Sequence, residues 1–177
     1  MSPAPTQIFS GPLSHVGFVV DDIPRAVERW TSAYGAGPFL LLENISFDSI
    51  EVPGDESPVT WEHSAAFGRW GEIVVELQQY HDVSATLAEK LRVGSAGFNH
   101  ISYVVEGPEE ASAGLSEAGM PCFVHATAGG IDFYFHEVPE YGHAIEVHRA
   151  GEVSDFFAAV RGLADDWDGS DPLRPAG

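Results

Sequence analysis

The sequence has little positive charge and only one cysteine. Its 177 residues include 8 lysines and arginines against 27 aspartates and glutamates, a formal net charge of −19 at pH 7. An acidic excess of this size repels the phosphate backbone of nucleic acids and anionic lipid surfaces. Cys122 has no partner for an intrachain disulfide, and its surroundings in "MPCFVHA" indicate a small buried strand residue rather than a nucleophile. We therefore expect no nucleic-acid partner and no disulfide.

The sequence also lacks a long hydrophobic run. No stretch comes near the about 18 apolar residues that a membrane-spanning helix needs. The first residues, "MSPAPTQIFSGPL", have neither the basic nor the apolar part of a signal peptide. These absences predict a cytoplasmic protein with no membrane partner. Hydrophobic residues still make up 44% of the chain, which is enough for residues 1–177 to close one core as a single domain.

The chain contains an internal repeat. The stretch "HVGFVVDDIPRA" (15–26) aligns with "HISYVVEGPEEA" (100–111), so that a histidine, an aromatic residue, a Val-Val pair, an acid and an alanine fall in register. Each copy continues into a helix pattern with proline near its first turn and glycine just past its end. Three strand candidates follow each helix. Each half of the chain is therefore predicted to form a strand, a helix and three further strands.

The predicted domain divides into two modules and two other segments. Module 1 covers about residues 12–80, and module 2 covers about residues 97–150. A linker helix is predicted over 81–96, and a C-terminal helix and tail over 151–177, in which "DGSDPLRPAG" has the composition of a disordered segment. Residues 48–59 form an acidic loop rich in proline and glycine, which is either a lid over a site or a solvated excursion.

A histidine begins each of the two repeated strands. Alternate residues of a strand share a face, so His15 and His100 lie opposite the apolar residues that follow them. The residue two positions further on the same face is small in both copies, Gly17 and Ser102. Small neighbours leave a hollow, which indicates that the two imidazoles project into a cavity rather than fill a core.

The last strand of each half carries a carboxylate in a matching position. These are Glu76 in "GEIVVELQQY" and Glu146 in "GHAIEVHRA", both flanked by apolar residues. A buried carboxylate is costly unless it is paired or bound to a metal ion. With His15 and His100, the two glutamates form a predicted set of metal ligands. Their mixed nitrogen and oxygen donors suit one divalent transition metal ion, Zn, Ni, Co, Fe or Mn, better than Ca or Mg.

These elements resemble the vicinal oxygen chelate (VOC) superfamily, in its glyoxalase I and methylmalonyl-CoA epimerase branch. The likeness rests on "HVGFVVDDIPRAVERW", "GEIVVELQQY", "GFNHISYVV" and "YGHAIEVH" and covers roughly residues 12–150. It implies an α+β fold in which paired βαβββ modules form an open eight-stranded cupped sheet, the glyoxalase/bleomycin resistance/dioxygenase fold. It also implies a homodimer and, by position, gives the metal-ligand role to the same four residues.

The resemblance implies a metal-dependent isomerase, epimerase or lyase that transfers a proton next to a metal-chelated carbonyl of a small organic substrate. Either Glu146 or Glu76 would leave the metal ion and act as the base. A loose alignment adds Glu62, in "TWEHSAAF", as a third catalytic candidate. Because the eight basic residues are scattered along the chain, coenzyme A and glutathione thioesters are weak candidate substrates. The aromatic residues could instead line an apolar pocket for a larger neutral carbonyl compound.

Two other functions stay open. An extradiol dioxygenase holds Fe(II) with two histidines and one carboxylate, so a fourth ligand, Glu76, disfavours it. A metal-free resistance protein that sequesters an aromatic drug has no use for four ligands. Gln78 and His148, two residues beyond the glutamates, either line the cavity or pack near the strand ends. The histidines without a counterpart in the repeat are interpreted as surface residues or neighbours of the site: His63, His81, His125, His136 and His143.

Overall fold

The computed structural model describes residues 8–9 and 13–176. Within these residues, ten strands form one mixed sheet, with four helices. The first half contains β1 (Leu13–Val19), α1 (Ile23–Tyr34), β2 (Phe39–Ile45), β3 (Ser49–Glu51), β4 (Trp61–Trp70) and β5 (Ile73–Val83). The rest comprises α2 (Ala85–Ala88), β6 (Gly97–Val105), α3 (Pro108–Glu117), β7 (Cys122–Ala128), β8 (Ile131–Val138), β9 (His143–Arg149), α4 (Glu152–Gly162) and β10 (Leu173–Pro175). None of the helices in this part of the chain has the length and apolar character to cross a membrane.

Two copies of one unit meet at the middle of the sheet, whose strand order is β10-β2-β4-β5-β1-β6-β9-β8-β7-β3. In each copy the first strand runs parallel to the last, β1 to β5 and β6 to β9, while β1 and β6 run antiparallel to each other. The predicted α+β fold of paired βαβββ modules is confirmed, and β3 and β10 add two short edge strands to the predicted eight. The predicted start of module 1 at residue 12 lies outside the described residues, and the module boundaries stay predictions.

The helix α1 packs on what we call the outer face of the sheet, the face that also carries α3. Asp22 caps its N-terminus by accepting a hydrogen bond from the backbone N–H of Arg25 at 2.8 Å, and Gly35 ends it in the left-handed conformation at φ 66°. Its buried residues Ile23 and Val27 pack against a core to which Val16 of β1 contributes. Because Val16 faces the helix, its neighbour His15 points to the opposite, inner face.

The helix α3 repeats this packing in the second half, where Leu115 joins a core with Val147 of β9. His136 of β8 fastens this helix to the sheet. Its Nδ1 lies 2.8 Å from the carbonyl oxygen of Met120, and its Nε2 lies 2.8 Å from the hydroxyl of Ser112 on α3. His136 is therefore a buried structural residue that belongs to neither the surface nor the candidate site.

The linker between the halves differs from its prediction. Residues 81–83 continue β5, and the helix predicted over 81–96 has only the four residues Ala85–Ala88. The strand is prolonged because the backbone of Ser84 still bonds to Thr60 beside β4, at 3.0 Å. The apolar residues Leu87 and Leu91, whose spacing suggested a longer helix, are both buried in a core beneath the turns that follow α2.

The tail and the acidic loop cover the two edges of the sheet. The tail predicted to be disordered contains β10, which pairs with β2, and Leu173 of β10 packs against the first core. The loop 48–59 contains β3, which crosses from the first half to pair with β7 of the second half. Without these two segments, β2 and β7 would be edge strands with unpaired backbone N–H and C=O groups. Because the two segments form hydrogen bonds with these groups, they are ordered despite their polar composition.

Candidate metal centre

The four predicted metal ligands meet on the inner face of the sheet. His15 on β1, Glu76 on β5, His100 on β6 and Glu146 on β9 are 1%, 4%, 0% and 4% exposed, respectively. The Nε2 atom of His15 lies 3.1 Å from Nε2 of His100, 3.2 Å from Oε2 of Glu76 and 3.1 Å from Oε2 of Glu146. The Nε2 atom of His100 lies 3.2 Å and 3.4 Å from the same two oxygens. All four donors come from one chain.

The strand register explains why these side chains converge. Gly17 of β1 pairs with Glu76 on one side and with His100 on the other. These three residues form one row of paired residues across the sheet. In a second such row, Ser102 of β6 pairs with His15 on one side and with Glu146 on the other. Each row therefore places one histidine and one glutamate on either side of a small residue, above which the two side chains meet. The small neighbours found in the sequence create this space.

Gly17 leaves room for the imidazole of His100. A Cβ atom at position 17 would lie 2.0 Å from Cε1 and 2.4 Å from Nδ1 of His100, far inside van der Waals contact. The requirement is steric, because Gly17 has no positive φ, although the pairing of β1 with β6 shifts register between Gly17 and Phe18. Position 17 therefore accepts only glycine if His100 is to keep its place.

Hydrogen bonds from the residues that precede the histidines orient the two rings. Asn99 donates its Nδ2 to the carbonyl oxygen of Leu91 at 2.9 Å, which leaves its Oδ1 to accept from Nδ1 of His100 at 2.9 Å. In the neutral ring the proton therefore sits on Nδ1, and Nε2 turns its lone pair to the cluster. Ser14 holds His15 from the matching position, with Oγ 3.0 Å from Nδ1. Sequence analysis missed both residues, although a polar residue directly before each repeated histidine was a visible signal.

The donor spacing fits one bound cation. Donor atoms that share an ion at about 2.1 Å lie about 3.0 Å apart at right angles and about 3.4 Å apart at tetrahedral angles. The five separations given above are 3.1–3.4 Å. In addition, Oε2 of Glu146 is buried and makes no well-aligned hydrogen bond among the described residues, although Nε2 of His148 lies 2.8 Å away, and such an oxygen is costly for a carboxylate. The geometry and chemistry of the set therefore suit one divalent transition metal ion.

The buried charges shift the pKa values of all four groups. Burial disfavours the charged form of His100, but the two glutamates outweigh burial and raise its pKa to about 9. The pKa of His15 is raised by the same balance. Burial also disfavours the carboxylate of Glu76, but the two histidines outweigh it and lower its pKa to about 2. Burial also disfavours the carboxylate of Glu146, but its interactions with His148 and His100 outweigh burial and hold its pKa well below its usual range. A metal ion must therefore displace protons from the imidazoles.

A cavity of about 440 Å³ lies beside the four donors on the inner face. The helix α4 closes one side of it, and the ring of Phe157 lies 4.8 Å from the ring of His15. Most of the lining is apolar, and its aromatic members are Phe47, Trp61, Phe67, Phe133, Phe135, Phe156 and Phe157. The structure therefore contains an apolar pocket of the kind expected from the aromatic residues of the sequence.

Polar residues of the cavity wall differ in part from the prediction. Gln78 and His148 line the cavity, and Nε2 of His148 lies 2.8 Å from Oε2 of Glu146. Glu62 does not line it, because Trp61 and His63 take the inward positions on β4 and Glu62 alternates to the other face. The catalytic role of Glu62 therefore stays a prediction that the cavity wall does not support. His63, which the sequence placed at the surface or beside the site, is 5% exposed and faces the cavity.

Comparisons with known proteins agree with this fold. A family model described as Glyoxalase/Bleomycin resistance protein/Dioxygenase superfamily matches residues 14–135. A search of curated protein sequences finds no match. Among solved structures, a hypothetical protein from Bacillus halodurans C-125 is similar with 21% identity and a TM-score of 0.55, over 81% of this chain and 97% of that chain. The methylmalonyl-CoA epimerase from Mycobacterium tuberculosis is similar with 18% identity and a TM-score of 0.55, over 87% and 97%.

The contact between Gly17 and His100 predicts the effect of one added methyl group. We expect Gly17→Ala to weaken binding of a divalent metal ion about 10–100-fold, because the methyl group displaces the His100 ring. Metal affinity can be measured by titration calorimetry. Gly114→Ala on α3 is the matched control, since its Cβ would meet only Ile8 at 3.6 Å. Equal metal affinity in the two variants would contradict the steric argument.

The raised pKa of His100 predicts how the metal-free protein responds to pH. A group whose pKa rises from 6.5 to about 9 on folding stabilises the folded state below pH 6.5 and loses this effect as the pH passes 9. We expect the melting temperature of metal-free protein to fall by about 3–8 °C between pH 6.5 and 9. The stabilisation by added metal should grow over the same range, because fewer protons compete for the imidazoles. Melting curves with and without metal check both trends, and parallel curves would refute them.

Proposed function

The chain belongs to the glyoxalase/bleomycin resistance protein/dioxygenase superfamily, and we propose that it is a metal-dependent enzyme that transfers a proton next to a carbonyl group of a small organic substrate. The observation that carries this proposal is the convergence of two histidines and two glutamates beside an apolar cavity. Isomerases, epimerases and glyoxalase-type lyases all need this step. The donor set and the cavity support this common chemistry.

We propose that His15, Glu76, His100 and Glu146 hold one divalent transition metal ion, which is Zn, Ni, Co, Fe or Mn. When bound, such an ion supplies a Lewis acid that stabilises negative charge on a carbonyl oxygen. The chain contributes the preorganisation, because Asn99 and the strand register fix the ring of His100 before any ligand arrives. Donors that need no rearrangement make binding more favourable.

Glu146 is the better candidate for the group that accepts the proton. Its Oε2 lies 2.8 Å from Nε2 of His148, which lines the cavity and stands outside the four-donor set. The Glu146 carboxylate therefore has a polar neighbour on the substrate side. Within the described residues, Glu76 has only His15 and His100 as close ionic neighbours. Return of the proton from Glu146 to the next carbon gives isomerisation, whereas epimerisation also needs a second group, such as Glu76, that delivers a proton to the opposite face of the same carbon.

Aromatic residues lower the polarity of the surroundings of the donors. The rings of Phe67 and Phe157 lie 5.9 Å and 4.8 Å from the ring of His15, and both belong to a core shared by β4 and α4. Charges interact more strongly where water is excluded. The apolar rings therefore strengthen the interaction of the Glu146 carboxylate with the proton that it accepts.

A second candidate is a metal-free protein that sequesters an aromatic compound, which the apolar cavity wall favours. That function gives no reason for four buried ionisable side chains pointing at one another. An extradiol dioxygenase would need open positions that a fourth protein donor reduces. The homodimer and the cytoplasmic location stay predictions.

Metal content separates the enzyme from the sequestering protein. We expect purified protein to retain about one divalent transition metal ion per chain, by elemental analysis, and His100→Ala to lose it because a quarter of the donor set is removed. His125→Ala is the control, since His125 stacks on Tyr134 at 4.1 Å and lies outside the donor set. Protein that neither retains nor binds an added transition metal ion would refute the proposal.

Solvent deuterium exchange tests the proton transfer itself. With 2-hydroxyacetophenone, we expect metal-loaded protein to exchange the hydrogens on the carbon beside the carbonyl, as followed by proton NMR. Glu146→Gln, assayed at saturating metal, should lower the rate about 100-fold or more because it removes the base. Exchange by Glu146→Gln at the wild-type rate would exclude Glu146, and absence of exchange by the loaded wild-type protein with this and related ketones would contradict the reaction class.

A further inference from the structure

The cavity wall formed by β4 carries polar atoms that the proton transfer does not use. Trp61 and His63 both line the cavity. The indole nitrogen of Trp61 and Nδ1 of His63 are buried without a hydrogen-bond partner among the described residues. A buried polar group without a partner is costly, so a ligand that reaches one of these atoms after a small movement of its side chain, and supplies the missing partner, would bind more tightly than one that does not.

These two residues lie at the far end of the cavity from the four donors. Phe67 of β4 pairs with Glu76 of β5, and His63 of β4 pairs with Tyr80 of β5. Tyr80 is four residues beyond Glu76, which is about 13 Å along a strand. Between these ends lies Gln78, whose Oε1 accepts a hydrogen bond from the hydroxyl of Tyr80 at 3.0 Å. A ligand that reaches both ends must therefore be longer than a two- or three-carbon fragment.

Aromatic rings build the wall at this far end. The ring of Phe47 lies 4.4 Å from that of Trp61 and 5.9 Å from that of His63, with interplanar angles of 36° and 19°. Phe133, from the second half of the chain, meets Phe47 edge to face at 5.6 Å. Rings in such arrangements pack well against a further flat ring. The shape and chemistry of this wall favour a ligand with a planar body.

The charges around the cavity disfavour an anion. No lysine or arginine of the described chain lines it, whereas Glu76, Glu146 and Glu152 do. Burial lowers the pKa of His63 to about 4, so this histidine stays neutral and attracts no negative group. A phosphate or carboxylate in this cavity would lose its water without gaining a counter-charge.

From these features we infer that the cavity selects an uncharged, ring-bearing carbonyl compound, aromatic or polycyclic, with a hydrogen-bonding oxygen at the end remote from the carbonyl. The carbonyl end lies at the four donors, a placement that rests on the proposed function. The remote oxygen bonds to Trp61 or His63. Coenzyme A and glutathione thioesters are excluded from the cavity by their charge.

Calorimetric titration of metal-loaded protein tests the selectivity for rings without charge. The probes are 2-hydroxy-1-(6-methoxynaphthalen-2-yl)ethanone, its 6-carboxylate analogue, hydroxyacetone and methylmalonyl-CoA. We expect the methoxy compound to bind at least about 100-fold more tightly than hydroxyacetone and at least about tenfold more tightly than the carboxylate. Binding of the carboxylate or of methylmalonyl-CoA as tight as that of the methoxy compound would overturn the inference. So would equal affinity for hydroxyacetone.

The remote hydrogen bond is tested by a ratio of affinities, which a general loss of stability does not change. The ratio compares the methoxynaphthyl compound with the same compound lacking the methoxy group, and we expect a value of about 3–10 in the wild-type protein. Trp61→Phe/His63→Phe keeps both rings and should bring the ratio close to one. Trp70→Phe is the control, since Trp70 packs against Trp30 on the outer face and should leave the ratio unchanged. A wild-type ratio near one, or an unchanged ratio in the double variant, would refute this hydrogen bond.

The outcomes separate this inference from the proposed function. Tight, ring-dependent binding of the naphthyl compounds without deuterium exchange would contradict the proton transfer and support the selectivity of the cavity. Exchange with hydroxyacetone as efficient as with the naphthyl compounds would support the proton transfer and overturn the selectivity. Binding can also be measured without metal, where a ring preference that persists shows that the cavity wall supplies it.

Discussion

The contact of two buried carboxylates with two buried imidazoles is the constraint on which the rest of the structure depends. Charges in a protein interior are tolerated only when they are paired or bound to a cation. Here Glu76 and Glu146 have His15 and His100 within 3.4 Å, and the four groups come from four neighbouring strands. The central strands must therefore keep their register, because a slip by one residue would turn a donor to the outer face.

The duplication of the chain made much of this arrangement predictable from the sequence. A single histidine in a strand carries little information, but His15 and His100 begin two copies of the same unit, and each copy ends with a glutamate at the matching position. The fold follows the same signal, because proline and glycine mark the ends of α1 and α3 in both copies. The four donors could be found from the sequence because the repeat shows each type of donor, a histidine and a glutamate, twice.

Apart from Ser14 and Asn99, the features that were missed in the sequence depend on contacts between distant segments or occur in one copy only. The order of β10 comes from pairing with β2, which no local pattern in a polar tail reveals. The sequence of β4 does not show which of its residues point inward, since both faces of the strand are mostly buried; Glu62 was predicted as a site residue, whereas the fold turns His63 inward. His63 has no counterpart in the second half of the chain, so comparing the two halves, which identified the donors, could not identify His63.

The symmetric donors suit the binding of a cation, whereas the asymmetric cavity wall suits the transfer of a proton in one direction. The repeat makes Glu76 and Glu146 equivalent around the cation site, yet proton transfer requires the two carboxylates to act differently. Their neighbours on the same face supply the difference. Gln78 beside Glu76 is bound by the hydroxyl of Tyr80, whereas His148 approaches Glu146 itself. The duplicated scaffold thus provides a symmetric site for an ion, and divergence at positions next to the donors gives the site a direction in which a substrate can be oriented and a proton can move.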